Sequence, residues 1–491
     1  MADRPNILIV MTDHQRGDTV LPEHPCRTPN IQRLVDAGVT FAETHCTAPH
    51  CCPARASFFS GLYPSGHGVW NNICNAQRLS DGIGRDVRLW SGDLREAGYT
   101  LHYVGKWHVD TKTRPADHGF IEHTVGATGE SFHGQSWDRV RRAAAEPEPT
   151  ERGWGQLLQP GYPRPLRPGF GVQPDPENHP DYRRAGEAVE ALDQLAGQDD
   201  PWALYVGFIG PHDPYFAPQE FLDLYELEDV PLPASYHDEM RDKPNIYRRM
   251  REQVFAQWGP QETRDAIRHF WAYCSWLDAQ FGRIMDKLDA TGQADNTLVL
   301  YCSDHGDYCG EHGLFAKGIP NFKSAYHVPA VVRWPADVVN PGRRVGGLVS
   351  LCDFAPTFLE LAGVAPNRPM HGRSLAPFLR DEAPADWRDA LLMQCNGVEN
   401  YFTQRGVRTA EWHYNYNAFD YDELYDLRND PHETRNLAGE PQYAEQVRRM
   451  CARMWRLCEQ VGDTPGNSYL TVALAPVGPV AGARDAERDL P

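Results

Sequence analysis

Short, almost wholly apolar runs alternate along this chain with longer segments whose apolar positions recur every three or four residues. Ile7-Leu8-Ile9-Val10-Met11, Thr100-Leu101-His102-Tyr103-Val104, Trp202–Ile209 and Thr297–Cys302 are such runs. They predict buried strands, because a strand covered on both faces needs no polar alternation. Between them, Thr28-Pro29-Asn30 predicts the cap and first turn of a helix that continues to Ala37 and stops at Gly38. Ile267, Phe270, Cys274, Leu277, Phe281, Ile284 and Leu288 fall at helical spacing, which predicts one long amphipathic helix ended by Gly292. Strands separated by helices predict an α/β fold: a large, mostly parallel sheet with helices on both faces. Ligands of such sheets gather at the carboxyl ends of the strands.

Two stretches depart from that alternation. From Gly126 to about Asp181, Gly, Pro, Trp and charges crowd together with little periodicity. That reads as an insertion, either over an active-site rim or as a plain surface loop. From residue 383 to about 465, fresh strand and helix signals predict a smaller α+β unit beside the larger domain of residues 1–382. Residues 466–491, with Ala-Pro-Val-Gly-Pro-Val-Ala-Gly, read as a linker or docking arm and leave room for a homo-oligomer.

Composition narrows the partners. The chain has 491 residues, 41% of them hydrophobic, with 13 Trp, 21 Tyr and 19 Phe, enough for a sizeable core. A net charge of -19 argues against nucleic acid, whose phosphates need a basic face. A local cationic pocket for a small anion remains compatible with it. No apolar run is long enough to span a membrane. The opening Met-Ala-Asp-Arg-Pro-Asn leads into the first strand rather than into a secretory leader. With 12 Cys in so long a chain, that predicts reduced thiols and a cytoplasmic location.

Chemistry concentrates at Cys51-Cys52-Pro53-Ala54-Arg55. Pro53 suits the first position of a helix, whose N–H groups would favour an anion beside residue 51, and Arg55 adds a cation there. A zinc cluster of Cys46, His50, Cys51 and Cys52 lacks the paired spacing of common sites. A phosphatase-type loop fails because Cys52 stands where its arginine is required. A buried structural thiol stays open. Asp13 and Asp304 each follow a predicted strand, so they would meet at one sheet edge as oxygen ligands for a divalent cation, or else merely cap a turn. His14 and Asp307 are weaker candidates. Among six lysines, Lys106 and Lys317 lie in loops where a cation can face a bound anion. His108, His212 and His305 also fall at strand ends.

Together these residues resemble the sulfatase family of the alkaline-phosphatase-like superfamily. The resemblance rests on Asn6–Asp13, Thr28–Ile31, Gly38–Phe41, Cys51–Ser57, Gly61–Pro64, Gly105–His108, Pro211–Tyr215, Ser303–Gly306 and Glu423–Leu427 with Asp430-Pro431 and Asn436-Leu437, in the family's order. It implies that a separate formylglycine-generating enzyme oxidises Cys51 to formylglycine, whose hydrate attacks the sulfur of a small-molecule sulfate ester. It further implies that Asp13, Asp304, His305 and the modified Cys51 hold one divalent ion, and that Arg55 orients the diol. Lys106 and Lys317 would bind sulfate oxygens, His108 would take the proton that triggers sulfate release, and His212 would assist the leaving oxygen. The chain departs from many members at His14, where a second Asp is usual, at His305, where Asn is usual, and at Cys52. The ion expected is calcium if the site stays oxygen-rich and manganese if imidazole ligates. The alternative reading is a formylglycine-dependent phosphonate monoester or phosphodiester hydrolase. Gly105-Lys106-Trp107-His108 favours the sulfatase, because the resembling phosphonate hydrolases tend to carry neutral residues there. A sulfatase-like binding protein with unmodified Cys51 would be expected to have lost these ligands and lysines.

Overall fold

The computed structural model describes residues 4–124, 136–397, 400–464 and 474–486. Its centre is an eight-stranded sheet built from Asn6–Asp13 (β1), Val39–His45 (β2), Thr100–Gly105 (β3), Ile121–Glu122 (β4), Trp202–Pro211 (β5), Thr297–Ser303 (β6), Ala330–Arg333 (β7) and Arg343–Ser350 (β8). The strand order is β8-β2-β7-β6-β1-β5-β3-β4. All pairings are parallel except those of β7, which runs antiparallel to both β6 and β2. The expected parallel sheet is thus a mixed one with a single reversed strand.

Alternation along β1 shows why the strand sequences are apolar throughout. Ile7, Ile9 and Met11 enter one core with Phe58, Phe59, Trp90 and Phe358. Leu8 and Val10 enter the other with Leu192, Phe270, Leu277 and Phe281. The first face is covered by Cys51–Ser60 (α2), Trp90–Glu96 (α3) and Phe354–Leu361 (α6). The second is covered by Pro29–Asp36 (α1), Pro180–Leu195 (α4) and Pro260–Ala290 (α5). All seven apolar positions that predicted the long helix are buried on α5.

Two local details differ from the sequence expectation. Thr28 occupies the cap position of α1, but its side chain makes no capping bond. Asp278 of α5 does that work, accepting the N–H of Asn30 at 3.1 Å and of Ile31 at 2.7 Å. Helix α2 begins at Cys51, two residues before Pro53. Proline is tolerated there because first-turn N–H groups have no partner within the helix.

A second sheet, antiparallel, contains Ala390–Cys395 (β9), Gln404–Thr409 (β10), Trp412–Asn417 (β11) and Glu423–Asp426 (β12), and packs on Ala444–Gln460 (α7). Residues 126–135 of the expected insertion lie outside the described residues. Its later part contributes Phe170–Val172, which pairs in parallel with Tyr215–Ala217 just beyond β5. Of the expected tail, 474–486 folds back on its own chain rather than standing off as an arm. Trp455 Nε1 of α7 donates to the Val477 carbonyl at 2.7 Å. No helix among the described residues is long and apolar enough to cross a membrane.

Candidate active site

Four adjacent strands of the sheet end at one edge, and each delivers a polar residue there. Register pairs Thr12 with Ser303, so Asp13 at the end of β1 lies beside Asp304 after β6. Lys106 follows β3, and His212 follows β5. Gly105 has φ +90°, and a Cβ on it would lie 2.1 Å from the Gly207 carbonyl. Only glycine lets the chain turn there and send Lys106 into the site. His14, His108 and Ala316 adopt positive φ of 72°, 57° and 60°. Non-glycine residues take that conformation at a cost that is concentrated at functional sites.

Helix α2 aims its first residue at this edge. Cys51 Sγ lies 3.6 Å from Asp13 Oδ1, 3.3 Å from His305 Nε2 and 3.1 Å from Lys317 Nζ. Arg55, one turn on and fully buried, joins the carboxylates: Nε reaches Asp304 at 2.7 Å and Nη2 reaches Asp13 at 3.1 Å. Its Nη1 donates to the Tyr205 hydroxyl at 3.0 Å and the Lys106 carbonyl at 3.2 Å. Its donors therefore go to the two carboxylates and this frame, not to an anion at the helix start. The N–H of Cys52, likewise expected to face an anion, donates instead to Asn72 Oδ1 at 3.1 Å.

Cations crowd the other side of residue 51. Lys106 Nζ sits 2.5 Å from Asp13 Oδ2. Lys317 Nζ contacts His14 Nε2 and lies 3.2 Å from His212 Nε2. His212 pairs with Asp213 at 3.2 Å, and its ring lies 3.9 Å from that of His14. His108 Nε2 lies 3.2 Å from Cys74 Sγ, and the His108 ring is among the groups that lower the Cys51 pKa.

The electrostatics follow from this crowding. Burial works against ionisation of the Cys51 thiol, but Lys106, Lys317 and His305 outweigh it and hold its pKa well below the usual thiol value. Burial and the Cys51 sulfur likewise oppose ionisation of Asp13, while Lys106, His212 and Lys317 pull its carboxyl well below the ordinary range. Burial and Lys317 push the His212 imidazole down, yet Asp213 and Cys51 prevail and raise it to about 9. His14 is pushed down by burial and by the neighbouring His212 and Lys317.

The donor set suits a divalent ion. One ligand atom each from Asp13, Cys51, Asp304 and His305 falls within 4.8 Å of the others, and all four residues are buried. His305 Nδ1 is 2.9 Å from the Gly306 carbonyl, so Nδ1 carries the proton and Nε2 offers its lone pair. His50, the residue before α2, is buried with neither ring nitrogen hydrogen-bonded within the protein.

All nine residues singled out in the sequence for the site lie around this edge. His14 and Asp307 form their own pair, Nδ1 to Oδ2 at 3.0 Å, and Asp307 also receives the Tyr215 hydroxyl at 2.8 Å. Sequence reasoning missed Tyr205, Asp213, Asn72 and Cys74. Tyr205 is hidden in an apolar strand. Asn72 and Cys74 lie in a segment without periodicity, and only the doublet Asn71-Asn72 hints at side chains that bond to backbone.

The mixed α/β sheet thus presents a buried cysteine, two carboxylates and two lysines at its carboxyl edge, the arrangement that the resemblance to alkaline-phosphatase-like hydrolases implied. Comparison with known proteins makes the assignment specific. Residues 5–364 match the family "Sulfatase", and residues 310–460 match "N-sulphoglucosamine sulphohydrolase, C-terminal". The chain belongs to the sulfatase family, and it is a sulfuric ester hydrolase. It is 31% identical over 471 residues to a choline-sulfatase of Rhizobium meliloti, covering 89% of this chain and 83% of that one. It is 30% identical to a multifunctional alkaline phosphatase superfamily protein of Trinickia caryophylli, over 92% of this chain and 95% of that protein. Its fold matches the phosphonate monoester hydrolase of Agrobacterium radiobacter with a TM-score of 0.76 at 24% identity, covering 93% of this chain and 96% of the other.

Proposed function

We propose that this chain hydrolyses a small sulfate ester to an alcohol and inorganic sulfate, with formylglycine formed from Cys51 and one divalent ion. The observation that carries this reading is the convergence of Lys317, His212 and Lys106 on residue 51 and its carboxylate neighbour, a cationic pocket inside an acidic protein. Hydrated formylglycine would supply a hydroxyl nucleophile and a second hydroxyl whose deprotonation expels sulfate, and the ion would supply Lewis-acid activation. Asp13, Asp304, His305 and residue 51 would hold the ion, with manganese favoured by the imidazole and calcium as the alternative.

Arg55 fixes the two carboxylates relative to each other. Lys317 and Lys106 bind the sulfate oxygens and steady the charge that grows on them. His212, held protonated by Asp213, donates to the departing oxygen. His108, close enough to position 51 to lower the Cys51 pKa, takes the proton whose removal releases sulfate. The buried thiols support a reducing, cytoplasmic setting.

Mass spectrometry of the peptide containing residue 51 tests the chemistry: the aldehyde is expected, and active protein carrying only unmodified Cys51 overturns it. The phosphonate monoester or phosphodiester reading keeps a claim because one similar relative is multifunctional. Matched aryl sulfate and aryl phosphonate esters decide between the two. A kcat/KM preference for the phosphonate above about tenfold, or ~1.4 kcal/mol, reverses the order.

A further inference from the structure

We propose that Cys52, Cys74 and His108 form a second metal site, for a thiophilic divalent ion such as zinc, directly beside the reaction centre. One ligand atom from each of the three lies within 4.8 Å of the others, and all three side chains are buried. Cys74 Sγ and His108 Nε2 are already 3.2 Å apart. A tetrahedral zinc with bonds of about 2.3 Å to sulfur and about 2.0 Å to nitrogen needs its ligand atoms roughly 3.5–3.8 Å apart, so closure changes any separation by at most about 1.3 Å. Two thiolates and an imidazole are the donors zinc prefers over calcium or manganese, whereas the carboxylate-rich set at Asp13 and Asp304 suits the harder ions.

The three ligands come from three segments: the first turn of α2, the loop after Asn72, and the turn after β3. The Cys52 N–H to Asn72 bond at 3.1 Å already ties the first two together. The sequence-local set of Cys46, His50, Cys51 and Cys52 is therefore not the one that the fold assembles. Binding releases the two thiol protons to solvent and leaves the ion three protein ligands and one open position.

Occupation has a consequence that rests on the proposed role of His108. With its Nε2 lone pair on the ion, the imidazole no longer accepts the proton from position 51, so zinc inhibits. The site acts as a brake that a rise in free zinc sets and a chelator releases.

The test titrates Co2+ into the holoprotein loaded with its catalytic ion, following the near-ultraviolet thiolate-to-cobalt charge-transfer band. The band is expected to saturate at one Co2+ per chain and to be displaced by Zn2+. It should persist in Cys51→Ser, which removes the proposed nucleophile but leaves this site, so its presence does not depend on the sulfatase reading. It should vanish in Cys74→Ser, with Cys52→Ser as a second removal and far-ultraviolet circular dichroism as the folding control. Affinity for zinc should fall by more than the 10–100-fold typical of losing an outer-shell partner. Zinc inhibition, scored against each variant's own zinc-free rate, should weaken in parallel. No band in the wild type, or an undiminished one in folded Cys74→Ser, overturns the proposal.

Discussion

The reaction centre and the C-terminal sheet both bury charge, but they treat it differently. In the sheet, Glu433 accepts from Arg408 Nη1 at 3.0 Å, His413 Nδ1 at 2.6 Å and the Lys323 N–H at 2.7 Å. Burial raises its pKa, but His413 and Arg408 more than offset that and hold the carboxyl at about 2. One anion meets three donors, although the far ring nitrogen of His413, Nε2, has no hydrogen-bond partner. At the reaction centre, like charges are pressed together: Lys317 against His212, Asp13 beside Asp304. A closed network stabilises a fold, whereas an over-supplied one is poised to receive a further charged group.

That contrast can be broken or sharpened by experiment. The largest effect is expected for Cys51→Ala, which should lower kcat by about 10⁴-fold or more, as removal of a catalytic nucleophile does, with an unchanged circular dichroism spectrum. Glu433→Gln should act the other way, costing about 3–5 kcal/mol of stability by urea denaturation while the folded enzyme keeps its kcat. A large loss of kcat with unchanged stability would erase the distinction. Lys317→Met should cost about 10²–10³ in kcat/KM for a sulfate ester, equivalent to losing one transition-state donor. Its stability should move by less than about 1 kcal/mol.

The smallest effect concerns Asp278, a buried carboxylate satisfied chiefly by N–H donors of α1. Burial raises its pKa to about 6, although the bonds from Ile31 and Asn30 pull it down. The folded state then holds this proton more tightly than the unfolded chain, so its contribution is full below pH 4 and is lost as pH rises through about 6. Relative to Asp278→Asn, the wild type should lose up to about 3 kcal/mol between pH 4 and pH 7. A pH-independent difference between the two would discount the assignment.

Strand positions were legible because strands buried on both faces must be apolar, and the strand-end residues Asp13, Lys106, His212 and Asp304 followed from them. The reversal of β7 was not legible. Ala-Val-Val-Arg carries no mark of direction, which is set by the hydrogen-bonding of its neighbours on either side. The start of α2 was misread for a related reason: a helix that is buried on all sides has no amphipathic edge to count from. Tyr205 and Cys74 escaped notice because their roles exist only across distant contacts, with Arg55 and with His108. Asp278 shows the same limit, since a cap supplied by another helix leaves no trace beside Thr28.

All ten residues of α2 are buried, and Cys51 is 1% exposed. A maturation enzyme working on this thiol has to reach it, and the finished fold leaves it covered. The conversion proposed here therefore sets a schedule: it has to happen on the nascent or unfolded chain, before the helix docks between α3, α6 and the sheet. Protein folded in a host without that enzyme should stay inactive however long the enzyme is later supplied, and only unfolding should reopen the opportunity.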